Sequence, residues 1–361
     1  MRQEQPSRLK TAVFWGIGIT LSTLIVLVGL EIMLRVLLLS TFYAETEAPL
    51  THSTTPGLGY NLAPNYFKGD VRTDSNGIRW RPEDTAPPVY KILLIGDSIA
   101  FGSGVRYPES FAPLMEAGLR RRLGGPVAVW NAGVPGYNTS QEAVQLDRLG
   151  PVVKPDLVVL EFCMNDYMDA PVLTRGGTLD ATSTEGPWHF SLMGVFNSSR
   201  ALVFLKEKFK DLQKARPEWF PVWAHYIHRV SKKPGWERAK LALVQASETA
   251  RRLKAHFIVV VFPVEQQLRI QDRSALDDVI NFAKAHGIDT LDLYYSFREH
   301  WREGLYIDYW AQARQFDKLH PSVKGHALVA DDIQEKILSD PALALNLQRH
   351  GNEGTGIRAV N

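Results

Sequence analysis

Three side chains of this chain could together form an activated serine nucleophile. Ser98 comes just after the apolar β-type run 89–95, and His320 lies near the far end of the chain with Asp317 three residues before it. A serine hydroxyl is a weak nucleophile at neutral pH, so it needs an imidazole to take its proton and a carboxylate to orient that imidazole. The spacing predicts that Ser98 attacks an acyl carbonyl, that His320 acts as the base, and that Asp317 orients His320.

Two further polar blocks follow apolar runs between the serine and the histidine. The first is 131–136, which ends at Gly136, and the second is Asn165-Asp166. The blocks around Ser98, Gly136, Asn165 and His320, in this order, resemble the SGNH (GDSL-type) hydrolase family, in a membrane-anchored bacterial-type form. The resemblance extends over roughly 89–338.

The resemblance implies a serine esterase that works through an acyl-enzyme. It also implies an oxyanion hole made by the backbone N–H groups of Ser98 and Gly136 and the side chain of Asn165. One position departs from the pattern, because the third block reads Cys163-Met164-Asn165-Asp166 where the family usually has glycine in place of Cys163.

Each candidate residue also has a structural interpretation when taken alone. Ser98 is a possible helix N-cap, Asn165 a possible turn residue, and Asp317 with His320 a possible capping pair for the helix that starts near 322. Asp292 ends a predicted strand and competes with Asp317 as the acid. The order of the blocks and their strand-end positions favour catalysis, and the closeness of Asp317 to His320 favours Asp317.

Composition excludes several classes of protein. The net charge of +2 over 361 residues gives no reason to expect a nucleic-acid partner. The one cysteine, Cys163, excludes an internal disulfide framework and a multi-cysteine metal site. His225 and His228 have the i,i+3 spacing of a metal pair but no nearby carboxylate or cysteine, so we expect no metal and no cofactor.

The N-terminus carries an apolar run long enough to cross a membrane. Residues 11–30 contain no charge, and twenty helical residues span about 30 Å. Arg2, Arg8 and Lys10 precede the run, which predicts a cytoplasmic N-terminus and an extracytoplasmic domain, periplasmic in a Gram-negative cell. A cleaved signal peptide is the alternative, but its apolar region is normally shorter.

Strand-like and helix-like runs alternate after the N-terminal region. Strands are predicted at 89–95, 127–130, 157–162, 257–262 and 288–293, and helices near 109–122, 140–149, 236–254, 274–286 and 322–338. The strands are rich in Val, Ile and Leu without alternation, as in a sheet covered by helices on both faces. The pattern predicts a three-layer, doubly wound α/β fold with a parallel sheet, and the resemblance implies its flavodoxin-like form.

This organisation predicts four parts. They are a membrane anchor at 1–40, a tether and edge segment at 41–88, a hydrolase domain at 89–340 and a C-terminal tail at 341–361. An aromatic-rich stretch at 170–235 breaks the alternation and is predicted to be a helical insertion.

The expected partners are a small-molecule or glycan ester and, through the N-terminal helix, a membrane. An O-acyltransferase acting on a glycan would use the same acyl-enzyme, so it stays an alternative, as does a carbohydrate-binding scaffold without turnover.

Overall fold

The computed structural model describes residues 8–38, 48–81, 90–123, 125–173, 179–180, 234–307, 319–341 and 343, with the isolated positions 201 and 205. The chain divides into two compact units, and the N-terminal helix belongs to one while the sheet belongs to the other. Most of the insertion predicted at 170–235 lies outside the described residues, as do His225 and His228 and nearly all of the C-terminal tail.

The N-terminal helix α1 (Arg8–Leu38) is apolar along most of its length. Its stretch Val13–Leu34 has a mean hydropathy of 2.3, and among the described helices it alone is long and apolar enough to cross a membrane. Thr20 and Thr23 donate their hydroxyls to backbone carbonyls four residues earlier, at 2.9 Å. Such internal pairing lets a polar side chain lie in an apolar surrounding, because the hydroxyl needs no water.

The second unit is built on a five-stranded parallel sheet. Its strands are β5 (Tyr90–Ile95), β6 (Val127–Asn131), β7 (Leu157–Phe162), β10 (His256–Val261) and β11 (Asp289–Asp292), in the order β6-β5-β7-β10-β11. The order reverses between β5 and β7, which is where doubly wound sheets bind ligands, at the carboxyl ends of the strands. The predicted α/β fold is therefore confirmed.

Helices cover both faces of this sheet, which explains why the strands carry apolar side chains on both sides. The helices are α2 (Ser98–Phe101), α3 (Phe111–Leu123), α4 (Thr139–Val153), α5 (Pro234–Arg252), α6 (Glu265–Ile270), α7 (Ser274–Ala285), α8 (Tyr294–Glu299) and α9 (Val323–Ser339). Helix α4 packs on α5, and α3 packs on α9.

The predicted and observed helices differ in two ways. The helix predicted near 140–149 runs through Pro151 to Val153, because the side chain of Val153 is buried and tertiary packing overrides the poor helix propensity of proline. The short helices α2, α6 and α8 were not predicted, since a run of four to six residues is too short to show helical periodicity.

Two small antiparallel hairpins precede the sheet in the chain. They pair β1 (Leu50–His52) with β2 (Tyr60–Leu62) and β3 (Phe67–Lys68) with β4 (Val71–Arg72). A further antiparallel pair, β8 (Val172–Leu173) with β9 (Leu179–Asp180), follows β7. The predicted Asn76-Gly77 turn follows β4, and Asp74 closes it by accepting the N–H groups of Asn76 and Ile78 at 2.8 and 2.9 Å. Gly77 has a φ of +76°, which a residue with a side chain adopts only with strain.

The segment 48–81 forms a second apolar cluster with the loops at the carboxyl edge of the sheet. Leu58, Tyr60 and Leu62 pack there with Phe101 and Tyr137, all nearly fully buried. The segment is thus built into the same unit as the sheet.

Arg79 lies at the centre of this contact, with 2% of its surface exposed. Its guanidinium donates to the Phe101 carbonyl at 2.7 Å and to the Asp70 carbonyl at 3.2 Å, and it lies over the rings of Phe101 and Tyr107. Burial lowers the pKa of Arg79 to about 10, so it stays charged at neutral pH. It thereby satisfies a carbonyl at the C-terminal end of α2, where helical carbonyls otherwise lack a partner.

Replacing Arg79 by methionine is expected to destabilise the protein. The change keeps the length of the side chain but leaves two buried carbonyls without their donor, at about 1–3 kcal/mol each. Urea denaturation of the detergent-solubilised full chain measures the loss. Arg72→Met is the matched control, because Arg72 lies exposed over the Phe67 and Trp80 rings and its loss is expected to cost less than about 1 kcal/mol. Equal losses in the two variants would contradict this role of Arg79.

Candidate active site

Ser98 is the first residue of α2, three residues after β5 ends at Ile95. The N-cap of this helix is Asp97, whose carboxylate accepts the backbone N–H of Ile99 at 2.7 Å. The interpretation of Ser98 as an N-cap is therefore wrong, because its neighbour supplies the cap. The Ser98 hydroxyl points instead to His320.

His320 Nε2 lies 2.8 Å from Ser98 Oγ, although 222 positions separate the two residues. The His320 carbonyl accepts the Ile307 N–H at 2.9 Å, and the Ser322 N–H donates to the Leu305 carbonyl at 2.7 Å. These two bonds hold the histidine loop against residues 305–307, while the Ser322 hydroxyl caps α9. Both Ser98 and His320 are more than 90% buried, so the pair is largely shielded from solvent.

Of the two candidate acids, the structure describes Asp292 only. Its carboxylate accepts the Arg273 guanidinium at 2.7 Å and the Tyr294 N–H at 3.0 Å, which ties it to the start of α8. Asp317 lies outside the described residues. Asp292 thus has a structural role at the far edge of the sheet.

Asn165 lies in a 3₁₀ turn, Met164–Tyr167, directly after β7. Its amide Nδ2 donates to the Asp97 carboxylate at 2.6 Å. The amide NH₂ group carries two protons, so Asn165 keeps a second N–H that this bond does not use.

Gly136 lies in the loop after β6, which is joined to the nucleophile turn by a bond from the Val134 N–H to the Gly96 carbonyl at 3.0 Å. Gly136 has a φ of +81°, and a Cβ there would lie 2.9 Å from the Tyr60 hydroxyl. Both the backbone conformation and the close approach of Tyr60 require glycine.

Cys163, at the position that departs from the family pattern, is 1% exposed. Burial, assisted by the nearby Glu161, raises the pKa of its thiol well above the usual value. The backbone N–H of Cys163 donates to the Asp166 carboxyl at 2.8 Å, which closes the turn that carries Asn165. A protonated, buried thiol is a poor nucleophile, so Cys163 packs in the core.

Four carboxyl groups lie together beneath the nucleophile turn. They are those of Asp97, Glu142, Glu161 and Asp166, each at most 3% exposed. Burial raises the pKa values of Glu142, Glu161 and Asp166 well above the usual range, and repulsion from neighbouring carboxylates raises them further. Groups so close in a buried site cannot all ionise together.

No role was predicted for Glu142 or Glu161 from the sequence. A signal was present for Glu161, which is the one charged residue in the apolar strand Leu157–Phe162. No comparable signal marks Glu142, because an acidic residue in the first turn of a helix is common at the surface.

His326, in the last helix, is fully buried and stacks on the Phe111 ring. Its Nδ1 accepts the Phe111 N–H at 3.3 Å. Burial lowers its pKa to about 3, with a further contribution from His320. His326 is therefore a neutral packing residue.

The described geometry suits acyl transfer. A serine hydroxyl hydrogen-bonded to an imidazole can lose its proton as it attacks, and amide N–H groups in the loops after β6 and β7, on either side of β5, can stabilise an oxyanion. Among the described residues, no group of three or more His, Cys, Asp or Glu side chains is placed to hold a metal ion.

Comparison with known proteins agrees with this chemistry. Residues 94–328 match the model of the GDSL-like Lipase/Acylhydrolase family. No curated protein matches the chain.

Several solved structures resemble the fold. A lipase/acylhydrolase from Enterococcus faecalis is 19% identical with a TM-score of 0.40, over 69% of this chain and 96% of that one. A catalytic mutant of an acetylxylan esterase from Geobacillus stearothermophilus is 16% identical with a TM-score of 0.41, over 70% and 96%.

The family match extends over well more than half of the chain and includes the turn that carries Ser98, the turn that carries Asn165 and the loop that carries His320. The chain belongs to the GDSL-like lipase/acylhydrolase family and is a serine hydrolase that acts on ester bonds.

Proposed function

We propose that this protein is a membrane-anchored esterase in which Ser98, His320 and Asp317 form a catalytic triad. The observation that carries the proposal is the 2.8 Å contact between His320 Nε2 and Ser98 Oγ. This distance lies within the range for proton transfer between a nucleophile and its general base. The position of Asp317, three residues before His320, is that of the acid in the family pattern.

In the proposed reaction Ser98 Oγ attacks the acyl carbonyl carbon while His320 Nε2 takes the hydroxyl proton. The tetrahedral intermediate then collapses, and the alcohol leaves with the proton from His320. Water next attacks the acyl-serine as His320 takes one of its protons. The second collapse releases the acid and returns the proton to Ser98. Asp317 orients the imidazole and stabilises its charged form during both steps.

The oxyanion of each intermediate is stabilised by three donors in this proposal. They are the backbone N–H groups of Ser98 and Gly136 and the side-chain amide of Asn165. The hydrogen bond from Asn165 to Asp97 supports the assignment, since it turns the amide nitrogen toward the nucleophile turn.

The proposed substrate is a small-molecule ester, and the acyl group is passed to water. A glycan hydroxyl in place of water would make the same protein an O-acyltransferase, through the same acyl-enzyme. A chromogenic acetyl ester, assayed with and without a sugar acceptor, distinguishes the two. Release of acetate at a rate unaffected by the sugar supports hydrolysis. A sugar ester as the main product supports transfer. Binding of the sugar without turnover of the ester would leave only the scaffold alternative.

Replacing Ser98 by alanine is expected to abolish turnover and leave the fold intact, because it removes only the attacking oxygen. A fluorophosphonate should label the wild type at Ser98, as identified by mass spectrometry of the labelled peptide. A denatured wild-type sample controls for non-specific labelling. Labelling of another serine, or full activity of the variant, would remove Ser98 from the proposed role.

The proposed topology has one transmembrane helix, with residues 1–10 in the cytoplasm and the hydrolase domain outside. The apolar stretch Val13–Leu34 and the preceding Arg2, Arg8 and Lys10 support it. Alkaline phosphatase fused after Tyr60 should be active, and a β-galactosidase fused at the same position should be inactive. The reverse pattern would overturn the orientation, and recovery of the full chain in the soluble cytoplasmic fraction would overturn the anchor.

Replacing Asn165 tests the oxyanion hole. Asn165→Ala is expected to lower kcat by about 10²–10³-fold, the usual effect of removing one oxyanion donor, with little change in KM. Asn165→Asp should be no better, since it places an acceptor where a donor is needed. Near-normal kcat in the aspartate variant would instead mean that Asn165 is a turn residue, because aspartate replaces asparagine well in turns.

A further inference from the structure

Glu161 lies directly beneath the nucleophile turn, on the side of β7 that faces Gly96. A Cβ at Gly96 would lie 2.7 Å from Glu161 Oε2, so glycine at this position makes room for the carboxyl. Glu161 is 1% exposed, and the other five residues of its strand are apolar. A carboxyl buried this deeply costs stability unless hydrogen bonds or a proton compensate it.

The Glu161 side chain is hydrogen-bonded to Asp97. Glu161 Oε2 accepts the backbone N–H of Asp97 at 3.2 Å. The other carboxyl oxygen of Glu161, Oε1, has no hydrogen-bond partner among the described residues.

Asp97 in turn connects Glu161 to the active site. One oxygen of its carboxylate caps α2 by accepting the Ile99 N–H, and the other accepts the Asn165 amide at 2.6 Å. A continuous chain of hydrogen bonds therefore runs from Glu161 through Asp97 to Asn165. Each member is buried or partly buried, so water competes little for these bonds.

We propose that Glu161 is a positioning residue that holds Asp97 and, through it, the amide of Asn165 in the geometry of the oxyanion hole. Glu161 touches no reacting atom. Its Oε2 accepts the Asp97 N–H and so fixes the backbone of Asp97, so that the carboxylate of Asp97 keeps its direction toward Asn165. The inference rests on the proposed role of Asn165.

The charged and titratable groups that face Glu161 all favour its neutral form. They are Asp97 at the end of β5, Asp166 in the 3₁₀ turn after β7, Glu142 on α4 and the Cys163 thiol. None of them is a cation, and burial acts in the same direction. The pKa of Glu161 is therefore raised well above its usual value.

Glutamine and methionine at position 161 separate the hydrogen bonds from the packing. Glu161→Gln keeps one donor and one acceptor and is expected to stay within about threefold of the wild-type kcat. Glu161→Met has similar length without either group, and it is expected to lower kcat by about 10–100-fold with KM within about twofold, since one oxyanion donor is worth at most about 10³-fold. If the methionine variant is not recovered folded, Glu161→Asp, which withdraws the carboxyl from Asp97 by one methylene, replaces it with the same expectation.

A double-mutant cycle with Asn165→Ala tests whether Glu161 affects kcat through Asn165. If Glu161 acts through Asn165, the loss caused by Glu161→Met should vanish in the Asn165→Ala background. A loss that persists in full there would overturn the inference while leaving the oxyanion hole in place. Wild-type kcat in Glu161→Met would overturn it as well. If Asn165→Ala alone has no effect on kcat, the proposed function fails at Asn165 and the inference fails with it.

Glu142→Gln is the matched control for activity. Glu142 is as deeply buried as Glu161, but its two carboxyl oxygens have no hydrogen-bond partner among the described residues. Its kcat and KM should equal those of the wild type. A loss in Glu142→Gln as large as that in Glu161→Met would mean that any change in the buried carboxyls disturbs the site, which would overturn a specific role for Glu161.

Discussion

The Asp97 carboxylate joins the two strand ends from which the active site is built. One of its oxygens begins the helix that carries Ser98, and the other holds the amide of Asn165, which follows a different strand. Both bonds are to the oxygens of a fully buried carboxyl group, where water competes little for them. The relative position of Ser98 and Asn165 therefore depends on the side chain of Asp97, which is neither the nucleophile nor an oxyanion donor.

The Asp97 carboxyl is buried next to three other acids. Burial raises the pKa values of Glu142, Glu161 and Asp166 well above the usual range. Neutral acids avoid the repulsion that four ionised groups would suffer in a low-dielectric interior. Each raised pKa contributes stability that is fully present below the unfolded pKa of the group and is lost as the pH rises through its folded pKa.

The segment between the N-terminal helix and the sheet completes the support of the site. Arg79 satisfies a carbonyl at the C-terminal end of α2, and Tyr60 donates its hydroxyl to the Pro135 carbonyl beside Gly136. The helix that carries Ser98 is thus held at its start by Asp97 and at its end by Arg79. A segment with the composition of a linker therefore acts as part of the domain.

The sequence by itself determined the α/β class, the order of the five strands along the chain and the identity of the paired residues Ser98 and His320. Apolar runs of five to seven residues alternating with amphipathic helices specify this class, because local periodicity reflects burial directly. The catalytic chemistry could also be predicted from the sequence, since few residue types can act as nucleophile, base or oxyanion donor. The flavodoxin-like form of the sheet was implied by the resemblance to a family, and the strand order β6-β5-β7-β10-β11 agrees with it.

Only the tertiary structure decided which residues support that chemistry. Nothing local in the sequence distinguishes Asp97 as a link to Asn165, because the two residues are 68 positions apart and meet only when β5 and β7 pair. The contacts of Glu161 with Asp97 and of Arg79 with Phe101 arise in the same way, from strand register and the packing of loops at one edge of the sheet. Such long-range contacts produce no periodic pattern in a sequence. The sequence therefore indicates the reacting groups but not the residues that hold them in place.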